Sequence, residues 1–217
     1  MTATRPRAKG ELRVYLTLET LQPQFAAYMG TPTRARGYPP YAGQHALIIE
    51  VAPGLMIERV IDLALKADPD LEPGILFVER QFGILEIHGS DKERLLAAGR
   101  AVLNGMGLPE GDQLKPRILF TDVIEDVADS HAVIVNRNRQ ASMIMPGETL
   151  LVCEMVPALY AAIAANEAEK VAPKLTLVDV QMIGAAGRVY MSGTTADVER
   201  GLAEIERVLA GIGGREN

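Results

Sequence analysis

Residues 50–71 read E-V-A-P-G-L-M-I-E-R-V-I-D-L-A-L-K-A-D-P-D-L, and residues 154–175 read E-M-V-P-A-L-Y-A-A-I-A-A-N-E-A-E-K-V-A-P-K-L. Glu50 meets Glu154, Pro53 meets Pro157, Leu55 meets Leu159, Lys66 meets Lys170, Pro69 meets Pro173 and Leu71 meets Leu175, each pair 104 residues apart. The same offset joins Arg13 to Arg117, Thr17 to Thr121, Gly43 to Gly147, Gly83 to Gly187 and Gly89 to Gly193. A two-residue insertion then shifts the register, and E-R-L-L-A-A-G-R-A-V-L-N-G-M-G matches E-R-G-L-A-E-I-E-R-V-L-A-G-I-G. The chain is a tandem duplication. Two repeats of this length make two domains rather than a solenoid: residues 11–107 and 115–213, with a linker near 108–116 and a short flexible tail over 1–10.

Each half shows the same order of elements. A strand (12–18; 117–124) precedes a short helix (about 20–29; about 129–137) and a second strand (46–51; 149–155). Pro53 and Pro157 stand where the first turn of a helix tolerates proline. The helix that follows carries Met56, Ile57, Val60, Ile61 and Ala64 at helical spacing. Its second copy is alanine-rich, which favours helix and close packing. Pro69 and Pro173 stop these helices. A hairpin (75–78 with 84–88; 175–182 with 188–192) and a final amphipathic helix (about 91–105; about 195–210) close each half. The fold class is α+β, each half a small antiparallel sheet covered by helices.

The two hairpin turns differ. The first is V78-E-R-Q-F-G83, with Glu79 and Arg80 adjacent where turns favour Gly, Asn, Asp or Pro. The second is M182-I-G-A-A-G187, small and uncharged.

Composition narrows the function. Hydrophobic residues are 48% and charged residues 23%, ordinary for a soluble globular chain. No apolar stretch is long enough to cross a lipid membrane, and the N-terminus has no apolar core of a signal peptide. A net charge of -6 and 5% aromatics without tryptophan argue against nucleic acid as partner. The single Cys153 excludes an internal disulfide and reads as a buried strand thiol. His45, His88 and His131 lie in different elements and read as surface or strand histidines, not metal ligands. No phosphate loop, zinc motif or calcium loop occurs. Ser90 and Ser192 have no His-and-acid partner nearby in sequence, and Glu93, Glu199, Glu204 and Glu206 sit on polar helix faces. No catalytic residue, cofactor or metal is expected.

Several segments together carry a resemblance. D62-L-A-L-K-A-D is similar to the D-A-x-x-K-A-A helix of bacterial microcompartment (BMC) shell proteins, and L177-V-D-V-Q-M-I-G-A-A-G-R-V to their strand and pore loop. The element order begins with the strand and helix that ordinary members carry last, as in the circularly permuted members. E11-L-R-V-Y-L-T-L-E-T-L-Q-P-Q-F-A-A-Y-M, F77-V-E-R-Q-F-G, V135-N-R-N-R-Q-A-S-M-I and A165-N-E-A-E-K resemble the tandem-domain, double-stacking shell proteins first known from carboxysomes. The loop T31-P-T-R-A-R-G-Y-P-P-Y and the G-A-A-G turn depart from that pattern.

The resemblance implies a structural shell protein in the bacterial cytoplasm. Three chains form a homotrimer that imitates a hexagon among other shell proteins, and two trimers can stack as a dimer of trimers. It implies a central metabolite pore lined by Gln81, Phe82, Gly83, Ile183, Gly184, Ala185, Ala186 and Gly187, gated by Glu79 and Arg80. At a three-fold axis, three unpaired arginines about 6 Å apart repel by roughly 3 kcal/mol per pair at an effective dielectric near 20. Pairing each with a glutamate relieves this, so an adjacent acid and base suit a switch. In isolation the same pair reads as a solvated ion pair. Lys66 and Lys170 end their helices, where a cation favours the dipole, and the family places such lysines on the tile edge. Asn136, Arg137 and Arg139 form a basic segment that reads as a stacking face or an anion site, with both left open. The competing functional reading is a cytosolic, oligomeric regulatory protein that binds a small molecule between subunits.

Overall fold

The structure is a computed structural model that describes residues 10–31 and 37–216. The N-terminal tail and the centre of the Pro- and Arg-rich loop lie outside the described residues. In the first half β1 (Glu11–Leu18), α1 (Pro23–Met29), β2 (His45–Ala52), α2 (Ile57–Ala67), β3 (Glu72–Glu79), β4 (Phe82–Gly89) and α3 (Lys92–Met106) follow one another. The second half repeats them as β5 (Arg117–Ile124), α4 (Asp129–Asn138), β6 (Thr149–Val156), α5 (Tyr160–Val171), β7 (Thr176–Gln181), β8 (Gly187–Gly193) and α6 (Thr195–Ala210). The strands form two four-stranded antiparallel sheets, β1-β2-β4-β3 and β5-β6-β8-β7.

The expected β-α-β-α-β-β-α order holds in both halves, with local differences. Pro53 does not open α2. It caps a single 3-10 turn, Gly54–Met56, and the α-helix begins at Ile57. Pro157 likewise precedes a turn, and α5 starts at Tyr160. The last helices have the caps their sequences suggest. Asp91 accepts from the backbone N–H of Glu93 (2.9 Å) and Arg94 (3.2 Å), Thr194 from Asp197 (3.2 Å), and Gly107 takes the left-handed conformation after α3.

One face of each sheet carries the two long helices of its half. Leu47, Ile49, Leu85 and Ile87 of the first sheet pack against Ile57, Val60 and Ala64 of α2 and Leu95, Ala98 and Val102 of α3. The opposite face is treated differently in the two halves. Val14, Leu16, Ile48 and Ile84 of the first sheet, with Phe25, Tyr28 and Met29 of α1, join one continuous core with α5, α6 and the second sheet. This explains the alanine-rich α5, which has neighbours on several sides: α6, the β-strands of its own half, and α1 and β1 of the other. Small side chains let all of them approach.

Polar groups secure that junction. The N-terminus of α1 has no side-chain cap of its own. Its free N–H groups are met from the second half. Gln22 donates to Asn166 Oδ1 (2.9 Å), Gln24 to Glu169 Oε1 (2.8 Å) and Phe25 to Glu169 Oε2 (3.0 Å). A carboxylate at a helix N-terminus satisfies orphan donors and complements the dipole. The Gln24 side chain donates to Leu175 O and accepts from Leu177 N–H, and the Tyr28 hydroxyl donates to Val180 O. The segment expected as a linker is also packed. Gln113 Oε1 accepts from Tyr15 N–H (2.9 Å), the Tyr160 hydroxyl donates to Leu114 O, and Leu114 bridges to Arg215.

Candidate functional site

The first hairpin turn is short. Glu79 pairs with Phe82 across the ladder, leaving Arg80 and Gln81 as the two-residue loop. Two-residue hairpins favour left-handed backbone at the corner. Arg80 supplies it with φ 52, a conformation that costs a non-glycine residue about 1 kcal/mol. Its side chain is 89% exposed, and its Nε lies 3.8 Å from Glu79 Oε1, a loose pair rather than a hydrogen bond. The second turn is longer, running from the end of β7 at Gln181 to the start of β8 at Gly187, with Gly184 at φ 137.

Behind each turn the backbone is tightly seated. A methyl at Gly83 would lie 2.1 Å from Gly54 O, and one at Gly187 would lie 2.2 Å from Ala158 O. Only glycine permits these approaches. Phe82 is held further: the Arg13 guanidinium lies 3.8 Å from its ring centroid, while Arg13 Nε donates to Glu50 Oε1 at 2.8 Å. Burial pushes the Glu50 carboxyl above the usual carboxylate range, against the opposing pull of Arg13.

The structure brings the two turns to one place. Phe82 from the first and Gly184 and Ala185 from the second line a cleft of about 440 Å³, together with Arg13, Glu50, Arg117 and Pro157. Ile183, Ala186 and Gly187 belong to the same second turn.

The comparisons with known proteins bear on the whole chain. The model of the CsoS1D N-terminal domain matches residues 12–112. The carboxysome shell protein CcmP of Synechococcus elongatus is 42% identical over 207 residues, covering 95% of each chain. The chain belongs to the tandem-domain bacterial microcompartment shell proteins. The solved structure of the double ringed trimeric shell protein MSM0271 from the RMM microcompartment is 60% identical, with TM-score 0.92 over 96% of this chain and 100% of that one. The fused permuted hexameric shell protein MSM0275 of the same microcompartment is 46% identical, with TM-score 0.90 over 95% and 100%. The protein is a structural component of a microcompartment shell, which sets aside the regulatory-protein reading.

The other expected residues of this shell protein have definite surroundings. Lys66 Nζ pairs with Asp62 at 2.7 Å, and Lys170 Nζ with Glu167 at 3.1 Å, both on exposed helix ends. Asn136 Nδ2 donates to Ile144 O (2.8 Å) and its Oδ1 accepts from Ile144 N–H (3.0 Å), pinning the segment before β6. Arg137 is exposed, and Arg139 lines a separate cavity of about 250 Å³ with His131, Asp179 and Tyr190.

Cys153 is buried, its thiol pushed up to about 12 by that burial. His88 is fully buried on β4, with Nδ1 3.1 Å from Glu86 Oε1. Burial raises the pKa of that Glu86 carboxyl. Among the described residues, no cluster of potential metal ligands occurs and no helix is long and apolar enough to cross a membrane.

Sequence reasoning missed Asn166 and Glu169, which cap α1, and Arg13, Glu50 and Arg117 around the cleft. Glu50 and Glu154 stand in register as the repeat predicts, but the 104-residue match of Arg13 with Arg117 does not hold: the strand pairing is offset by two residues in β1 and β5, which sets Arg13 in the place of Leu119 and Arg117 in that of Glu11.

Proposed function

We propose that this shell protein assembles as a homotrimer that imitates a hexagon, with domains 11–107 and 115–213 supplying the six units, and that metabolites pass through a central pore gated by Glu79 and Arg80. The observation that carries the gate is the first turn itself. Arg80 is the only bulky cation on either turn, sits in left-handed backbone and pairs loosely with the neighbouring acid. A strained, exposed corner bounded by fixed residues has alternatives of similar energy, as a switch requires.

The repeat supports the ring. Leu21 and Val127 each donate to and accept from their following turn in the same way, which aligns Phe25 with His131 and Tyr28 with Ile134. Tyr28 is 5% exposed beneath the second half, whereas Ile134 is 54% exposed; Val14, opposite Glu50, is 0% exposed, whereas Phe120, opposite Glu154, is 54% exposed. The open face of α4 and β5 fits the α2–β3 region of the next chain, with Asp62 in the place of Asn166. Three such contacts close the ring. The double ringed form of MSM0271 supports stacking of two rings. Lys66 and Lys170 serve as tile-edge contacts with other shell proteins. Arg137 suits a stacking face. The protein acts without catalysis, cofactor or metal.

Classified particle images of the assembled protein test the gate. The expected result is two arrangements of Glu79 and Arg80, one across the axis and one clear of it, with Phe82 unmoved. A single arrangement directed away from the axis in every class would refute it.

A further inference from the structure

Two arginines near the turns, Arg13 on β1 and Arg117 on β5, have opposite surroundings. In the first half Arg13 is neutralised where it stands. It donates to buried Glu50 at 2.8 Å, and the Phe82 ring covers its face. In the second half Leu119 stands in the place of Arg13, and the matching acid, Glu154, is taken by a residue of β8. Arg188 Nε donates to Glu154 Oε1 at 2.8 Å, and its NH1 donates to Gln181 Oε1 at 3.0 Å. The residue matching Phe82 is Ala186, so no ring is present either. Arg117, which pairs with Val156 at the start of β5 where Glu11 pairs with Ala52 in the first half, is exposed, without a hydrogen bond or ion pair among the described residues, and it lines the cleft between the two turns.

We propose that Arg117 makes this cleft a binding site for small organic oxyanions, carboxylates or phosphate esters, at the rim of the pore. The inference rests on the reading of the two turns as pore-lining and adds a selectivity residue to it. The volume of about 440 Å³ suits a small metabolite. Arg13 and Glu50 cancel, so the charge of the cleft is that of Arg117. A guanidinium offers a planar fork of donors that matches carboxylate and phosphate oxygens in pairs. Phe82 and Pro157 give an apolar wall for the carbon skeleton, and Gly184 and Ala185 leave the entrance unobstructed. Arg117 stands at the start of β5, paired with Val156, not on a turn. Its charge therefore stays in place whichever way Arg80 points, and anion preference persists with the gate open or closed.

Equilibrium dialysis of the assembled protein against radiolabelled inorganic phosphate at low ionic strength tests this, with acetate as competitor. Arg117→Gln should weaken phosphate binding by about tenfold or more, Arg117→Lys by less, and the Glu79→Ala/Arg80→Ala pair by under about threefold. Because Arg117 is exposed and has no partner among the described residues, its variants should keep the native circular dichroism spectrum and oligomeric size. The proposal is overturned if wild type binds no phosphate, if Arg117→Gln binds as wild type does, or if the turn variant loses binding equally. A turn that never moves while Arg117→Gln alone loses phosphate would refute the gate and leave this site standing.

Discussion

Helices α1 and α4 occupy the same place in their halves and have opposite fates. The first buries Phe25, Tyr28 and Met29 in a core shared with the other half, and its N-terminus is capped by Asn166 and Glu169. The second buries Ala132 and leaves Val133 and Ile134 in solvent. The hairpin turns diverge in parallel, one tight and charged, the other longer, small and neutral. Duplication supplied two equal units. Having a neighbour on only one side within the chain made them unequal.

The largest test of this comparison is on stability. Phe25→Ala should cost about 3–5 kcal/mol through the cavity it leaves, whereas His131→Ala, at the equivalent exposed position, should change stability by less than about 0.5 kcal/mol. Urea denaturation at low protein concentration measures both. Equal costs would mean that α4 is as firmly packed as α1.

A second test moves from the chain to its assembly. Ile134→Asp should leave the monomer's unfolding midpoint within about 0.5 kcal/mol of wild type and weaken self-association by about tenfold or more, or about 1.4 kcal/mol. Sedimentation velocity reads the second effect. An unchanged oligomer would show that the open face of α4 is not where copies meet.

The smallest expected effect concerns acid. Arg94 pairs with Asp68 and Asp70 in the first half. Among the described residues, the matching Arg200 pairs with Asp197 on its own helix. The Arg94 hydrogen bond holds the Asp68 carboxyl below the usual carboxylate range. A depressed folded pKa stabilises the fold above the ordinary aspartate value and is lost as pH falls through the lower one. Arg94→Gln should therefore lower stability at neutral pH slightly and flatten the loss below about pH 4. Arg200→Gln should leave that acid limb unchanged. Thermal unfolding from neutral to acid pH distinguishes the two.

Much of the fold was legible because its determinants are local. The 104-residue repeat, the helical spacing of Ile57, Val60 and Ala64, and the glycines at the two hairpin turns all lie within short segments. The turn Glu79–Arg80 also stood out, since charge at a tight corner breaks a local rule. The start of α2 was misjudged because Pro53 fits a helix and a 3-10 turn equally well. The bonds of Asn136 to the Ile144 backbone were not legible, because a polar side chain in a basic segment gives no sign of whether it faces solvent or its own backbone.

What the sequence alone determined was the duplication, the order of elements, the α+β class and the charged turn. Only the tertiary structure decided which acid each arginine would find, that Asn166 and Glu169 cap a helix more than 140 residues away, and that Arg117 has no hydrogen-bond or ion-pair partner among the described residues. The physical reason is range. Backbone periodicity and turn chemistry act between neighbours in the chain, but ion pairs and helix caps depend on which distant surfaces meet. Two halves with nearly the same pattern can meet in only one way within a single chain.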